Sequence, residues 1–317
     1  MKFKVLSVTI LLIFISTISN AQKKLEYGIK AGFNLSKFIG PSEVDKLGTP
    51  LESQDFGFRI YVAAYTRYKL ATNWWIGAEV GFSQKGGITT FEGTSFEKLQ
   101  ADTTKTARRR TVMNTTLNYI DFPIMISTNI INPKIELSFG PNIGILAGAS
   151  GQGNTKYNID KADNSFTVPS SAINTEPVIG TVEYDLEYSH YTDKPGVSKG
   201  INGAQSSPTR VIDVNGTQTP YESVLGAYTF PNQKLARTNG ASNLYKPIDL
   251  GLNFGVTFRA TGSLRVGLKA NISLLDITND AMDFSQGGAA GNFWKMSVVR
   301  PDFDRNFTIN AFVGFGF

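Results

Sequence analysis

Apolar and polar residues alternate through this sequence in long stretches, and the pattern occurs eight times. The sharpest example follows Lys246. Ile248, Leu250, Leu252, Phe254, Val256 and Phe258 hold one parity, while Asp249, Gly251, Asn253, Gly255, Thr257 and Arg259 hold the other. Side chains of a β-strand point alternately to opposite faces, so this run makes a strand with one wholly apolar face. The same pattern fills Tyr27–Phe38, Phe56–Leu70, Trp74–Lys85, Thr116–Ile130, Ile135–Ala149, Leu264–Ile277 and Asn306–Phe317. These segments run 12 to 15 residues. Strands of globular proteins cluster near about 5–6 residues, whereas a tilted membrane-spanning strand needs about 9–11.

The connections carry a second signal. Ala71–Asn73, Ile131–Lys134 and Thr261–Ser263 are short. The connections at about 39–55, 86–115, 150–246 and 278–305 are long, and short and long strictly alternate. All short turns therefore lie at one end and all long loops at the other. A membrane barrel sorts its loops this way, and a soluble sandwich has no reason to. The pattern predicts an all-β fold, an eight-stranded antiparallel transmembrane β-barrel with short periplasmic turns and long extracellular loops. Ten strands are the alternative, since Val182–Tyr188 also alternates and Tyr221–Phe230 would have to pair with it. A ninth and tenth strand would need a long connection at the short-turn end. A hairpin extending beyond the lipid fits the pattern better.

The start of the chain reads as an address. Lys2 and Lys4 precede an apolar run of 14 residues, Val5–Ile18, and Ser19-Asn20-Ala21 offers small residues for cleavage. Residues 1–21 are thus expected to be a cleaved signal peptide and 22–317 the barrel, with an extracellular insertion at about 150–246. The expected location is the outer membrane of a Gram-negative bacterium. No later run approaches 18 apolar residues, so no transmembrane helix is expected. Outward aromatics in the last segment, Phe307, Phe315 and Phe317, are expected to act as the barrel-insertion signal read by the assembly machinery. Tyr27, Phe38, Tyr68, Trp74 and Tyr119 are expected in interfacial girdles.

Composition removes several chemistries. The chain has no cysteine and one histidine, which excludes thiolate ligation, a lipid-anchored cysteine and a multi-histidine metal site. The net charge of +5 is modest, and no nucleic-acid partner is expected. No cofactor is expected either. The Gly148–Gly153 run lacks the strand–loop–helix setting of a phosphate loop.

The inward parity collects Lys30, Arg59, Arg67, Lys69, Arg259, Arg265 and Lys269 against Glu79, Asp121, Glu136 and Asp249. An eight-stranded bore is just wide enough for side chains to fill. Charges there should bridge one another and plug it, although the basic excess also suits an anion filter.

Several segments resemble a known family. Tyr27–Ser36, Trp75–Gly86 and Leu117–Pro123 are similar to the first, third and fourth strands of the PorT-like outer-membrane β-barrel family of Bacteroidota, as is the Ala21-Gln22 junction. The likeness covers roughly 27–150 and 247–317. It implies eight strands and the outer membrane, and its namesake's role suggests an accessory part in protein secretion or gliding. It transfers no catalytic residues.

The loops hold the remaining candidates. Lys105, Arg108, Arg109 and Arg110 form a basic cluster suited to lipopolysaccharide phosphates or an acidic protein partner. His190 lies near Asp185, Ser189 and Asp193, the one grouping that suggests catalysis, but a lone surface histidine is usually inert. The expected function is a structural or interaction role through the extracellular loops, without enzymatic activity. A small passive channel is the alternative, and the secretion or gliding role comes after it.

Overall fold

The structure, a computed structural model, describes residues 24–44, 48–99, 103–131, 134–159, 180–189, 209–214, 217–222, 244–279 and 302–317. Eleven strands form among them. Eight make the barrel: β1 (Leu25–Ile39), β2 (Glu52–Lys69), β3 (Trp74–Leu99), β4 (Thr103–Ile131), β5 (Ile135–Ile159), β9 (Ile248–Arg259), β10 (Leu264–Ser273) and β11 (Arg305–Gly316). Each pairs antiparallel with its neighbour in chain order, β5 pairs β9, and β1 pairs β11 to close the ring. Closure leaves no unpaired edge at membrane depth, as a strand fold in lipid requires.

The barrel is apolar outside and polar inside. On β1, Tyr27, Ile29, Phe33 and Leu35 are exposed while Asn34 and Ser36 are buried. On β9, Ile248, Leu250, Phe254, Val256 and Phe258 are exposed while Asp249 and Asn253 are buried. The exposed apolar band runs around the whole ring, far beyond the few hundred Å² that a water-facing surface tolerates. Its solvent is hydrocarbon. No described helix is long and apolar enough to cross a membrane, and the crossing is made by strands.

The band ends where polar groups reappear on the outer face. Outward-facing Gln84 and Asn118 stand opposite each other and bond side chain to side chain at 3.0 Å. Just above, Gly86 takes φ 103° at a bulge between β2 and β3. A Cβ there would sit 2.2 Å from the Thr115 carbonyl oxygen, so only glycine fits. Lys85, beside the bulge, points inward with the parity of Glu79 and Ser83.

Beyond this line the structure departs from the expected loops. Residues 86–99 and 103–115 are not a loop, because β3 and β4 continue as one antiparallel ladder to Leu99↔Thr103. Thr89, Thr90, Phe91, Thr111 and Val112 favour a pleated backbone, and the pairing needs no lipid to persist. β5 likewise outruns β9. Its Ile135–Ile145 stretch pairs β9, and its Ser150–Ile159 stretch pairs β6 (Gly180–Ser189). The alternating stretch around Val182–Tyr188 is therefore a hairpin partner stacked beyond β9, and the ring holds eight strands rather than ten. A small hairpin of β7 (Thr209–Val214) and β8 (Thr217–Glu222) meets the tip of β3 at Lys98↔Glu222.

Two expected girdle residues point the other way. Tyr27, Tyr68 and Trp74 face outward, but Phe38 and Tyr119 are buried in the lumen. Both share the parity of the inward polar residues of their strands, and parity decides the face.

Candidate functional site

The lumen is the most elaborated part of the described structure. It holds three ion networks and an apolar cap, arranged from the short-turn end to the long-connection end.

Nearest the short turns, Glu26 bridges two guanidinium groups. Arg67 Nη2 approaches Glu26 Oε2 at 2.7 Å, and Arg265 pairs with Oε1 of the same carboxylate. Arg67 also pairs with Glu136 and lies 4.2 Å over the Trp75 ring. Arg259 stands directly across from Arg265 on the neighbouring strand.

Halfway up, Glu79 accepts from Lys30 and, at 3.0 Å, from Lys269. The Tyr61 hydroxyl donates to the same carboxylate at 2.7 Å. Lys30 sits 4.8 Å over Tyr65 and 4.9 Å over Phe312. Phe312 needs a bare neighbour, since a Cβ on the facing Gly267 would come within 2.5 Å of its ring.

In the third network Lys85 holds Asp121 at 3.1 Å and Asp249 at 3.0 Å, with its ammonium 4.6 Å over Tyr119. Lys85 and Asp249 are fully buried. Asn142 donates to Asp121 at 3.2 Å. Neutral bonds tie the walls together beside these networks, among them Asn310 Nδ2 to Asn34 Oδ1 at 2.8 Å and Asn271 Nδ2 to Asn253 Oδ1 at 3.0 Å.

The expected charge network is largely assembled. Lys30, Arg67, Glu79, Asp121, Glu136, Asp249, Arg265 and Lys269 all take part in ion pairs within the barrel. Arg59 is buried but bonds neutral acceptors, the Thr115 carbonyl at 2.7 Å, the Phe58 carbonyl at 2.8 Å and the Asn114 amide oxygen. Lys69 lies 5.7 Å over Trp75. Two members escaped the sequence reading, Lys85 and Glu26. Both continue the inward parity of their strands by one step: Lys85 closes the alternating segment Trp74–Lys85, and Glu26 lies one residue before Tyr27.

Above the charges the lumen turns apolar. Phe38, Leu117, Tyr119, Leu146, Ala149, Tyr245 and Ile277 form one buried cluster across its mouth. Phe38 and Tyr245 stack with centroids 6.2 Å apart. Two of these residues come from the long connections and are fixed by backbone bonds. Tyr245 bridges Thr278, Lys246 N donates to Ile277 O at 2.8 Å, and Ile277 N donates to Asp304 O at 2.9 Å. Asp276 locks this rim. Its carboxylate accepts from Lys246 Nζ, from the Thr278 amide and hydroxyl, and from the Asp304 amide. Burial pushes the Asp276 carboxyl up, but these donors outweigh it and hold the group below the usual carboxylate range.

One cavity of about 40 Å³ lies between the two lower networks, enough for a few waters and far short of a bore. A larger concavity of about 740 Å³ is lined by Trp74, Ile126, Leu137, Phe254 and Leu268 on the outer wall and belongs to the lipid surface.

The remaining candidates are spread out. Arg110 pairs with Glu92 at 2.7 Å on an exposed surface. The backbones of Lys105, Arg108 and Arg109 lie on β4 opposite Glu97, Thr94 and Gly93. Phe315 and Phe317 face outward at the short-turn end with centroids 5.3 Å apart, while Phe307 faces outward near Phe56 at the other end. Asp185 and Ser189 lie on β6. His190, Asp193 and residues 1–23 lie outside the described residues.

No protein of curated function matches this sequence. Among solved structures, the chain is similar to the attachment invasion locus protein Ail of Yersinia pestis, with 10% identity over 93% of this chain and 99% of that one, at a TM-score of 0.34. It is also similar to Neisserial surface protein A (7% identity, 91% and 96% covered, TM-score 0.29). The outer membrane protein OprG from Pseudomonas aeruginosa is a third (10% identity, 92% and 95% covered, TM-score 0.26). The sequence profile of the outer membrane protein beta-barrel domain matches residues 20–279, most of the chain. With a closed ring of eight strands and an apolar outer wall, the chain belongs to the family of outer-membrane β-barrel proteins.

Proposed function

We propose that this outer-membrane barrel is a closed, non-catalytic scaffold whose extracellular strands make contacts outside the cell. The observation that carries this reading is the continuation of β3 and β4 past the Gln84–Asn118 pair. About 16 residues of each strand stand beyond the lipid band, on the order of 50 Å along the strand at about 3.3 Å per residue. A barrel that served only as a membrane plug would have no use for such a projection.

The basic run Lys105, Arg108, Arg109 and Arg110 suits anionic groups, either lipopolysaccharide phosphates or an acidic protein surface. The resemblance to the PorT-like family supports a narrower role as an accessory factor in protein secretion or gliding. Cleavage after Ala21 and recognition of Phe307, Phe315 and Phe317 by the barrel-assembly machinery complete this reading. The passive channel is favoured by the basic excess of the lumen and opposed by its apolar cap.

The test is crosslinking in native outer membranes followed by purification, with the full chain and with residues 94–109 replaced by a short turn. A defined partner or bound lipopolysaccharide that is lost with the hairpin tip supports the reading. A barrel that emerges alone in both cases overturns it.

A further inference from the structure

The lower lumen contains more positive charge than its carboxylates offset. Lys30, Arg67, Arg265 and Lys269 line the cavity together with only Glu79 and Glu136. Glu26 adds one negative charge by bridging Arg67 and Arg265, and Arg259 adds another positive one. Arg259 and Arg265 face each other across adjacent strands, where like charges repel. Among the described residues no carboxylate bridges Arg259.

The donors are also incompletely used. Arg67 Nε and Arg265 Nε are buried, line the cavity through their side chains, and make no hydrogen bond within the described chain. Outside the cavity lining, beside Arg265, Arg259 Nη2 is also buried without a hydrogen bond within the described chain. A buried N–H without an acceptor loses its hydration with no return, and the loss is greater when the group is charged. Water would satisfy these hydrogens but leave the charge excess and the Arg259–Arg265 repulsion in place. An anion does both.

We propose that this cavity is a binding site for a small monovalent anion of the chloride class, held by Arg67 and Arg265 of its lining, with Arg259 adding positive charge from its place opposite Arg265. The volume of about 40 Å³ suits a single-atom ion with one or two waters, and not a nucleotide or a sugar phosphate. Glu26 and Glu136 keep side-chain exposures of 20% and 13% at the short-turn end. The opposite end is sealed by the Phe38, Leu117, Leu146, Tyr245 and Ile277 cluster. The anion therefore enters from the periplasmic side and leaves the same way. The site is a dead end and not a conduction path. It rests on the lumen alone and is independent of what the extracellular strands contact.

The experiment is a chloride NMR linewidth titration of the refolded full chain in detergent micelles, with empty micelles as the blank. Folding is verified for each variant by the heat-dependent gel mobility that barrels display. The wild type is expected to broaden the chloride line above the blank, and bromide is expected to compete. Arg265→Gln is expected to remove the broadening. Arg259→Gln is expected to weaken it while keeping the Glu26 bridge, so it decides the matter if Arg265→Gln does not fold. Absence of broadening in the wild type overturns the proposal. So does a folded Arg259→Gln protein with full wild-type broadening.

Discussion

In the lower lumen Arg67, Arg265, Glu26 and Glu136 meet in one ion network beside a small cavity, whereas in the upper lumen Phe38, Leu117, Leu146, Tyr245 and Ile277 pack on one another. The lower half is held by charges that keep some access to water. The upper half is closed by buried apolar side chains, two of which, Tyr245 and Ile277, come in from the long connections. The contrast shows that closing a narrow barrel and charging its interior are separate tasks. Ion pairs brace the walls from strand to strand, and apolar side chains close the mouth. Lys85 lies where the two regimes meet, with two carboxylates and the Tyr119 ring around one ammonium.

Removing that ammonium should break the boundary most severely. Lys85→Met leaves Asp121 and Asp249 buried together without a cation, a change that typically costs about 3–5 kcal/mol. Urea unfolding in lipid vesicles should register a loss of that order. A loss well under 1 kcal/mol would mean that water already reaches the site. The cap is next. Ile277→Ala deletes a fully buried side chain and should cost about 2–4 kcal/mol in the same assay. A neutral result would mean that the cap is loosely packed. The outer wall provides the control for both. Leu268→Arg, at the middle of β10 and facing lipid, should cost about 2–3 kcal/mol. If it costs nothing, that face does not lie in the bilayer.

The smallest effect belongs to the rim. Asp276→Asn weakens a partly exposed ion pair, worth about 0–1 kcal/mol after solvent screening. Its pH dependence is more telling than its size. The folded carboxyl is held below its unfolded value, so its contribution is complete above the ordinary carboxylate range. The contribution fades as pH falls through the lowered folded value. The difference in thermal midpoint between wild type and Asp276→Asn should therefore be constant near neutrality and vanish in acid. A difference that grows in acid would contradict this assignment.

The wall was legible in the sequence because parity alone decides which residues meet lipid, as in β9 from Ile248 to Phe258. The lumen's membership was legible for the same reason, Phe38 and Tyr119 included, because their parity and not their aromatic character sets the face they occupy. Pairing inside the lumen was not legible. Lys30 reaches Glu79 and Lys85 reaches Asp249 across the bore, and those meetings depend on strand tilt and stagger that one chain's alternation does not encode. The bulge at Gly86 was hidden too, since the residue lies just past the alternating segment Trp74–Lys85, where a glycine reads equally as the start of a loop. The length of β3 and β4 escaped because the apolar band, which stops at Phe82 and Ile120, was the signal that marked the strands. Beyond it the ladder continues on Thr-rich sequence that also reads as a polar loop.

The closed upper lumen is tested most directly by single-channel recording of the full chain in planar bilayers, with a Tyr245→Gly/Ile277→Gly protein as the comparison. The wild type should give no conductance steps, because the Phe38, Tyr245 and Ile277 cluster leaves ions no path past Lys85. A wild-type protein that holds a stable open level, unchanged by removal of those two side chains, would contradict the account.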